Sequence, residues 1–277
     1  MTSSPAKPLQ LLRVTLLLAA LYLAYCLAMS ALQRYLLYPG ARRFNNLAAV
    51  LPSGAQPLYR QLEQGRVEAW LLPALGMAEN RRAPLVVFAH GNGEVIDQWP
   101  STLEPLRRLG VALLLVEYRG FGRSAGTPSQ SAIVEDFRYF VERVSQRADI
   151  DGERRVFFGR SLGGGVVCAL SRLITPRALI LSSTFTSIAD AARRFLLPRF
   201  LVKDPYDNIA ALRVFDGPTL ILHGRADRLL PFNNAEKLVA TARQGELVPF
   251  AGGHNTSPDS GYFRAVANFL RRNRIID

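Results

Sequence analysis

The chain has 277 residues, enough for one catalytic domain with an appendage, and 49% of them are hydrophobic, which excludes a disordered or low-complexity protein. Thirty-four Lys and Arg against 22 Asp and Glu give a net charge of +12, and with two cations and no acid in residues 1–31 the remainder carries +10. The basic pairs Arg81-Arg82, Arg107-Arg108, Arg193-Arg194 and Arg271-Arg272 are scattered and no nucleic-acid motif accompanies them, so the charge points to an anionic lipid surface and not to nucleic acid.

Val14 to Ala31 is a run of 18 uncharged residues, which as a helix spans about 27 Å, close to a hydrocarbon core. Arg13 and Arg34 flank it where long cationic side chains snorkel, and Tyr22, Tyr25, Tyr35 and Tyr38 add aromatic character. A retained single-pass anchor over residues 1–40 is the expectation; a cleaved signal peptide ending near Ala28-Met29-Ser30 is the alternative. Lys7, Arg13 and the free amino group before the run nearly balance Arg34, Arg42 and Arg43 after it, so the charge asymmetry assigns no side of the membrane.

From here on, short apolar runs alternate with helical patterns. Ala83–Ala89 reads as a buried strand and ends in His90-Gly91-Asn92-Gly93-Glu94, a glycine-rich turn. Val111–Val116 is a second such run, continuous in apolar residues as parallel strands covered on both faces require, and Glu117-Tyr118-Arg119-Gly120-Phe121-Gly122 follows it. Ser131–Arg147 carries Ile133, Val134, Phe137, Phe140, Val141 and Val144 at helical spacing, a face to be packed on a sheet. Then Arg155-Val156-Phe157-Phe158 leads into Gly159-Arg160-Ser161-Leu162-Gly163 and a small-residue stretch, so that strand, sharp turn and helix are implied in that order.

Arg177–Leu181 is the next strand, and the connection from Ser182 to Asp216 is too long for a turn. It holds Phe195-Leu196-Leu197-Pro198-Arg199-Phe200-Leu201 and reads either as a short cap whose apolar face takes an acyl chain or as a segment packed down on the sheet. Pro218–His223 is a strand with Gly224-Arg225-Ala226-Asp227 as its exit loop, Gly245–Phe250 a strand followed by Ala251-Gly252-Gly253-His254, and Tyr262–Leu270 a closing helix. Cys26 falls in the apolar run and Cys168 after the Ser161 turn, so no disulfide between them is expected, and no group of residues has the ligand count for a metal.

G-x-S-x-G between a strand and a helix is the nucleophile elbow, which lifts a serine hydroxyl above the sheet. An alcohol is a poor nucleophile near neutral pH, so a base and an acid to orient it are needed. Of the three histidines, only His254 lies downstream of both Ser161 and a strand-end carboxylate, Asp227. The backbone N–H groups of Asn92 and Leu162 are placed to receive an oxyanion. His90 and His223 end strands and read as structural.

These segments together resemble the Bem46-type group of α/β-hydrolase serine hydrolases over about residues 66 to 272; Glu117 stands where that group commonly has Asp. The resemblance implies an α/β-hydrolase fold, a mostly parallel sheet flanked by helices with a short cap at about 183–217, in a catalytic domain over 41–277. Ser161, His254 and Asp227 would be nucleophile, base and acid, and no cofactor is implied. The expected substrate is a small acyl ester, thioester or lipid cleaved by a membrane-anchored enzyme. Peptidase or amidase chemistry with the same triad and a non-catalytic membrane-tethered binding protein are the alternatives.

Overall fold

The structure, a computed structural model, describes residues 6–43, 51–78 and 81–277. The free amino group and the side chains of Lys7, Arg42 and Arg43, counted above in the flanking charge, lie outside the described residues. In chain order the elements are α1 (Ala6–Leu37), α2 (Gly40–Arg43), β1 (Gln56–Leu62), β2 (Gly65–Leu72), β3 (Ala83–Ala89), α3 (Pro100–Arg107), β4 (Ala112–Val116), α4 (Gln130–Ser145), β5 (Ile150–Arg160) and α5 (Leu162–Ser171). They continue with β6 (Ala178–Ser182), α6 (Ile188–Ala192), α7 (Asn208–Val214), β7 (Pro218–Gly224), α8 (Asn233–Thr241), β8 (Gln244–Phe250) and α9 (Ser260–Arg272).

One eight-stranded sheet runs in the order β1-β2-β4-β3-β5-β6-β7-β8. β2 is antiparallel to both its neighbours and the strands from β4 to β8 are parallel, so the sheet is mostly parallel with an antiparallel hairpin at one edge. Every residue of β3, β4 and β6 is buried because helices cover both faces. Alternation then divides each strand between two cores: Leu85, Val87 and Ala89 meet Phe137 of α4, Val166 of α5 and Leu238 of α8, whereas Val86 and Phe88 meet Leu103 of α3 and Val266 of α9. The helical face read in the sequence is the buried one, Ile133 to Val144 of α4, and Ser129 starts that helix by accepting the Ala132 N–H at 3.2 Å. Each fully buried aliphatic or aromatic side chain of this kind contributes about 1.5–3 kcal/mol.

Two features differ from the sequence expectation. The hairpin β1–β2 was not anticipated. The excursion over the sheet edge is also shorter than 183–217, since α7 buries Ala211 and Leu212 in the same core as α5 and α8 and belongs to the flanking layer. What remains above the edge is α6 and two short 3-10 turns, Arg193–Phe195 and Arg199–Leu201. Phe195, Leu196 and Phe200 are exposed there and Leu197 is buried, so the segment neither packs flat nor turns all its apolar residues inward.

The apolar run is part of α1, whose segment Leu9–Leu37 has a mean hydropathy of 2.0 and is long and apolar enough to cross a membrane. Its carboxyl-terminal half touches the cap. Arg34 does not reach outward but pairs with the buried Asp204 at 2.8 Å, because a carboxylate removed from water requires a cation. Tyr38 faces Tyr206, hydroxyl to hydroxyl at 3.2 Å, in the interior.

Candidate active site

The parallel strands end at one edge, and the loops leaving β3, β5, β7 and β8 meet there, the edge where open α/β sheets bind ligands. Ser161, between β5 and α5, has φ 52° and ψ −116°, a conformation that costs a non-glycine residue about 1–3 kcal/mol. Two bonds over-determine it: the Ser161 N–H donates to Ser182 O at 2.9 Å, and the Thr184 side-chain hydroxyl donates to Ser161 O at 2.7 Å. The glycines around it are packing requirements. A Cβ on Gly159 would overlap the Gly163 carbonyl, one on Gly163 the Ala89 carbonyl, and one on Gly164 the Thr184 hydroxyl.

The three residues singled out in the sequence come together. His254 Nε2 lies 3.0 Å from Ser161 Oγ and its Nδ1 lies 2.8 Å from Asp227 Oδ2. An Asp carboxylate only accepts, so the Nδ1 proton points to Asp227 and the Nε2 lone pair faces the serine hydroxyl. Asp227 is itself fixed by the N–H groups of Leu229 (3.0 Å) and Leu230 (2.8 Å), both on Oδ1. Ser161 and Asp227 are buried, and the His254 side chain is about one-tenth exposed.

The oxyanion candidates occupy two turns on the same edge. The N–H of Leu162 opens α5, and that of Asn92 lies in the turn after β3; among the described residues neither donates to another protein group. The turn carrying Asn92 hangs on a buried pair. His90 places Nδ1 2.8 Å from Gly91 O and Nε2 2.8 Å from Glu117 Oε1, while Glu117 also accepts the N–H groups of Ile96 (3.1 Å) and Tyr118 (3.0 Å). Burial works against charge on the His90 ring, but the facing Glu117 carboxylate and its hydrogen bond overcome it and raise the imidazole pKa.

His223 is of the opposite kind. Burial lowers its pKa, and the neutral ring donates from Nε2 to Leu230 O at 2.8 Å, 3.4 Å from Asp227 Oδ2, so it braces the acid's loop. Both nitrogens of the His90 ring make structural bonds, whereas His223 makes one through Nε2 and its buried Nδ1 has no partner among the described residues.

Arg160, the variable residue of G-x-S-x-G, was not singled out in the sequence. Its guanidinium donates to His254 O at 2.9 Å and to Asn255 Oδ1 at 3.3 Å, pairs with Glu94 Oε1 and lies 5.7 Å from the centre of the Trp99 ring. Glu94 Oε2 in turn accepts the Gly91 N–H at 2.7 Å. One side chain therefore ties the serine turn, the histidine loop and the Asn92 turn. The sequence clue was a charged residue beside a nucleophile position, with Glu94 in the glycine-rich turn. Aromatic residues, Phe88, Trp99, Phe158, Phe250 and Tyr262, crowd beside His254 and leave almost no free volume there. A cleft of about 630 Å³ opens at the opposite, amino-terminal edge of the strands and is lined by none of Ser161, His254, Asp227, Arg160, Asn92 or Leu162.

Residues 80–203 match the Hydrolase_4 family, described as serine aminopeptidase, S33. The chain is 34% identical over 252 residues to YfhR of Salmonella typhi, which covers 82% of this chain and 85% of that protein. It is 33% identical over 234 residues to the α/β-hydrolase domain-containing protein WAV2 of Arabidopsis thaliana, 75% of each chain, and 26% identical over 231 residues to the protein Bem46 of Schizosaccharomyces pombe, 78% of this chain and 76% of that one. Among solved structures, esterase Est2 of Thermogutta terrifontis superposes with a TM-score of 0.66 at 18% identity, over 81% of this chain and 94% of its own.

Proposed function

Because the chain belongs to the α/β-hydrolase superfamily, in its Bem46-type group, we propose that it is a serine hydrolase that cleaves carboxylic ester or thioester bonds of lipid-derived acyl compounds. Residues 1–40 would anchor it in a membrane and residues 41–277 form its catalytic domain. The observation that carries this reading is the continuous chain from Ser161 Oγ through His254 to Asp227, at 3.0 and 2.8 Å, set on a strained turn. Strain at one non-glycine residue, maintained by a backbone bond and the Thr184 hydroxyl, has no packing purpose that glycine would not serve better.

In this reading Ser161 Oγ attacks the acyl carbonyl while His254 Nε2 takes its proton, and Asp227 stabilises the imidazolium without accepting that proton. The Asn92 and Leu162 N–H groups, free of other partners among the described residues, bind the oxyanion. His254 then returns the proton to the departing alkoxide or thiolate, leaving an acyl ester on Ser161. Water gives a proton to His254 and its oxygen to the acyl carbon; collapse releases the acid, and His254 reprotonates Ser161. The same groups would cleave an amide if they protonated an amine, and the matched family's description as serine aminopeptidase favours that as the second reading.

The test is labelling by a fluorophosphonate together with hydrolysis of p-nitrophenyl esters and aminoacyl anilides. Ser161→Ala is expected to lose the label and about 10³-fold or more in ester turnover while unfolding at the wild-type temperature. Near wild-type turnover in that variant would overturn the mechanism, and a preference for anilides would replace the ester reading by the amide one.

A further inference from the structure

The cap of this molecule is bound to the helix read as its anchor. Tyr22 donates its hydroxyl to Leu196 O at 2.8 Å, Tyr25 donates to Phe195 O, and Gln33 both donates to Leu201 O at 2.9 Å and accepts the Lys203 N–H at 2.7 Å. The segment from Lys203 back to Phe195 therefore climbs α1 from Gln33 to Tyr22. At its top, Phe195, Leu196 and Phe200 are 62, 74 and 84% exposed. They continue the lipid-like surface of α1, where Leu18, Leu21 and Leu23 are about as exposed.

Lengths turn this contact into a statement about depth. From Leu9, where the apolar segment of α1 begins, to Tyr22 the helix rises about 20 Å, whereas a hydrocarbon core is about 30 Å thick. A helix that crosses must therefore take about 10 Å of its cap-covered length into the leaflet. Backbone so placed must have its polar groups satisfied within the protein. At this tip the fold supplies partners for several of them: Phe195 O and Leu196 O are capped by the two tyrosines, the Leu196 N–H donates to Arg193 O at 3.0 Å, the Leu197 N–H donates to Ala192 O at 3.3 Å, and Pro198 O accepts the Leu201 N–H at 3.0 Å.

Charge completes the pattern. Arg199 is paired with Asp190 at 2.9 Å, but Arg193 and Arg194 at the tip and Lys203 at the foot of the segment are exposed with no carboxylate within ion-pair distance among the described residues. Cations on long stems around an apolar tip suit the phosphates of an anionic leaflet. Between α1 and α6 an apolar groove of about 230 Å³, lined by Met29, Leu36, Ile188, Ala191 and Leu197 among others, offers room beside the tip for an acyl chain.

We infer that the tip of the cap, Phe195 to Phe200, is inserted into an anionic phospholipid leaflet alongside α1, so that the cap of the site meets its substrate within the bilayer. This rests on the anchored-hydrolase reading above. The test uses the full chain in nanodiscs of phosphatidylcholine and phosphatidylglycerol, with Leu196→Cys or Phe200→Cys carrying a polarity-sensitive fluorophore. Cys26 and Cys168, both buried, contribute little background, and Glu153→Cys on the opposite edge of the sheet is the aqueous control. Emission at 196 and 200 should shift to the blue and be quenched about twofold or more by acyl-chain spin-labelled lipid, with position 153 unaffected. Labels at 196 and 200 that behave like the one at 153 would overturn the inference, as would a blue shift without lipid quenching, which places the tip against a second copy of the chain. In parallel, the Leu196→Asp/Phe200→Asp variant should hydrolyse a vesicle-resident long-chain ester about tenfold more slowly and a soluble short-chain ester at the wild-type rate. A wild-type rate on vesicles counts against insertion. If the native chain hydrolyses neither ester, the hydrolase reading falls while the label positions still decide insertion.

Discussion

Arg160 carries more of the site's geometry than its place in the motif suggests. Its fork reaches the carbonyl of His254 and the carboxylate of Glu94 together, and Glu94 holds the Gly91 N–H of the Asn92 turn. A catalytic base displaced by about 1 Å costs on the order of 10²-fold in rate, so Arg160→Ala is expected to lower kcat by about that factor with a smaller change in KM. Arg160→Lys should recover only part of it, because a single ammonium reaches one of the two acceptors and not both. Steady-state kinetics with a soluble ester, alongside thermal unfolding, checks this. A variant that loses stability but keeps kcat would reduce Arg160 to a structural cation. The sequence left this residue unread because its partners are 66 and 94 positions away and only the fold brings them near.

The elbow shows how an element can be dictated by the space its neighbours leave. Gly163 faces the carbonyl of Ala89, the last residue of β3, and a methyl group there meets backbone that no rotamer change can move. Gly163→Ala is therefore expected to cost more than about 3 kcal/mol of stability. At Gly253 an added Cβ would meet Ala226 O at 3.4 Å, ordinary contact, and Gly253→Ala should stay within about 0.5 kcal/mol. Urea unfolding of the two variants decides, and equal stabilities would mean that the sheet and α5 can separate. The central strands were legible as elements because burial on both faces leaves an unbroken apolar run. β1 was not, since it alternates between half-buried and exposed positions and puts Gln56 and Arg60 on the inward side, where Arg60 meets Asp136 of α4 at 2.9 Å. A charged residue satisfied by a distant carboxylate removes the apolar alternation by which such a strand is recognised.

For the molecule as a whole, α1 is both an apolar helix and a buttress. A chain beginning at Tyr38 loses the Arg34–Asp204 pair, leaving a buried carboxylate, and the four tyrosine and glutamine contacts to the cap. It is expected to leave the membrane fraction and keep Ser161, His254 and Asp227 in place, yet to unfold at a lower temperature and bind long-chain esters more weakly than short ones. Carbonate extraction, thermal melts and KM across chain lengths test this. A truncated chain with unchanged melting and KM would show that α1 is only a tether. What the sequence determined by itself was the order of strands β3 to β8 with the turns after them and the chain order Ser161, Asp227, His254, because apolar runs and glycine turns are local signals. It also determined that a segment exists long and apolar enough to cross a membrane. Tertiary structure alone decided which polar groups pair at a distance: Arg160 with Glu94, Glu117 with His90, Arg34 with Asp204. It also set the side of the cap on which Phe195, Leu196 and Phe200 emerge. Buried charge is stable only with a partner, and partners separated by tens or hundreds of residues leave no periodic trace in the chain.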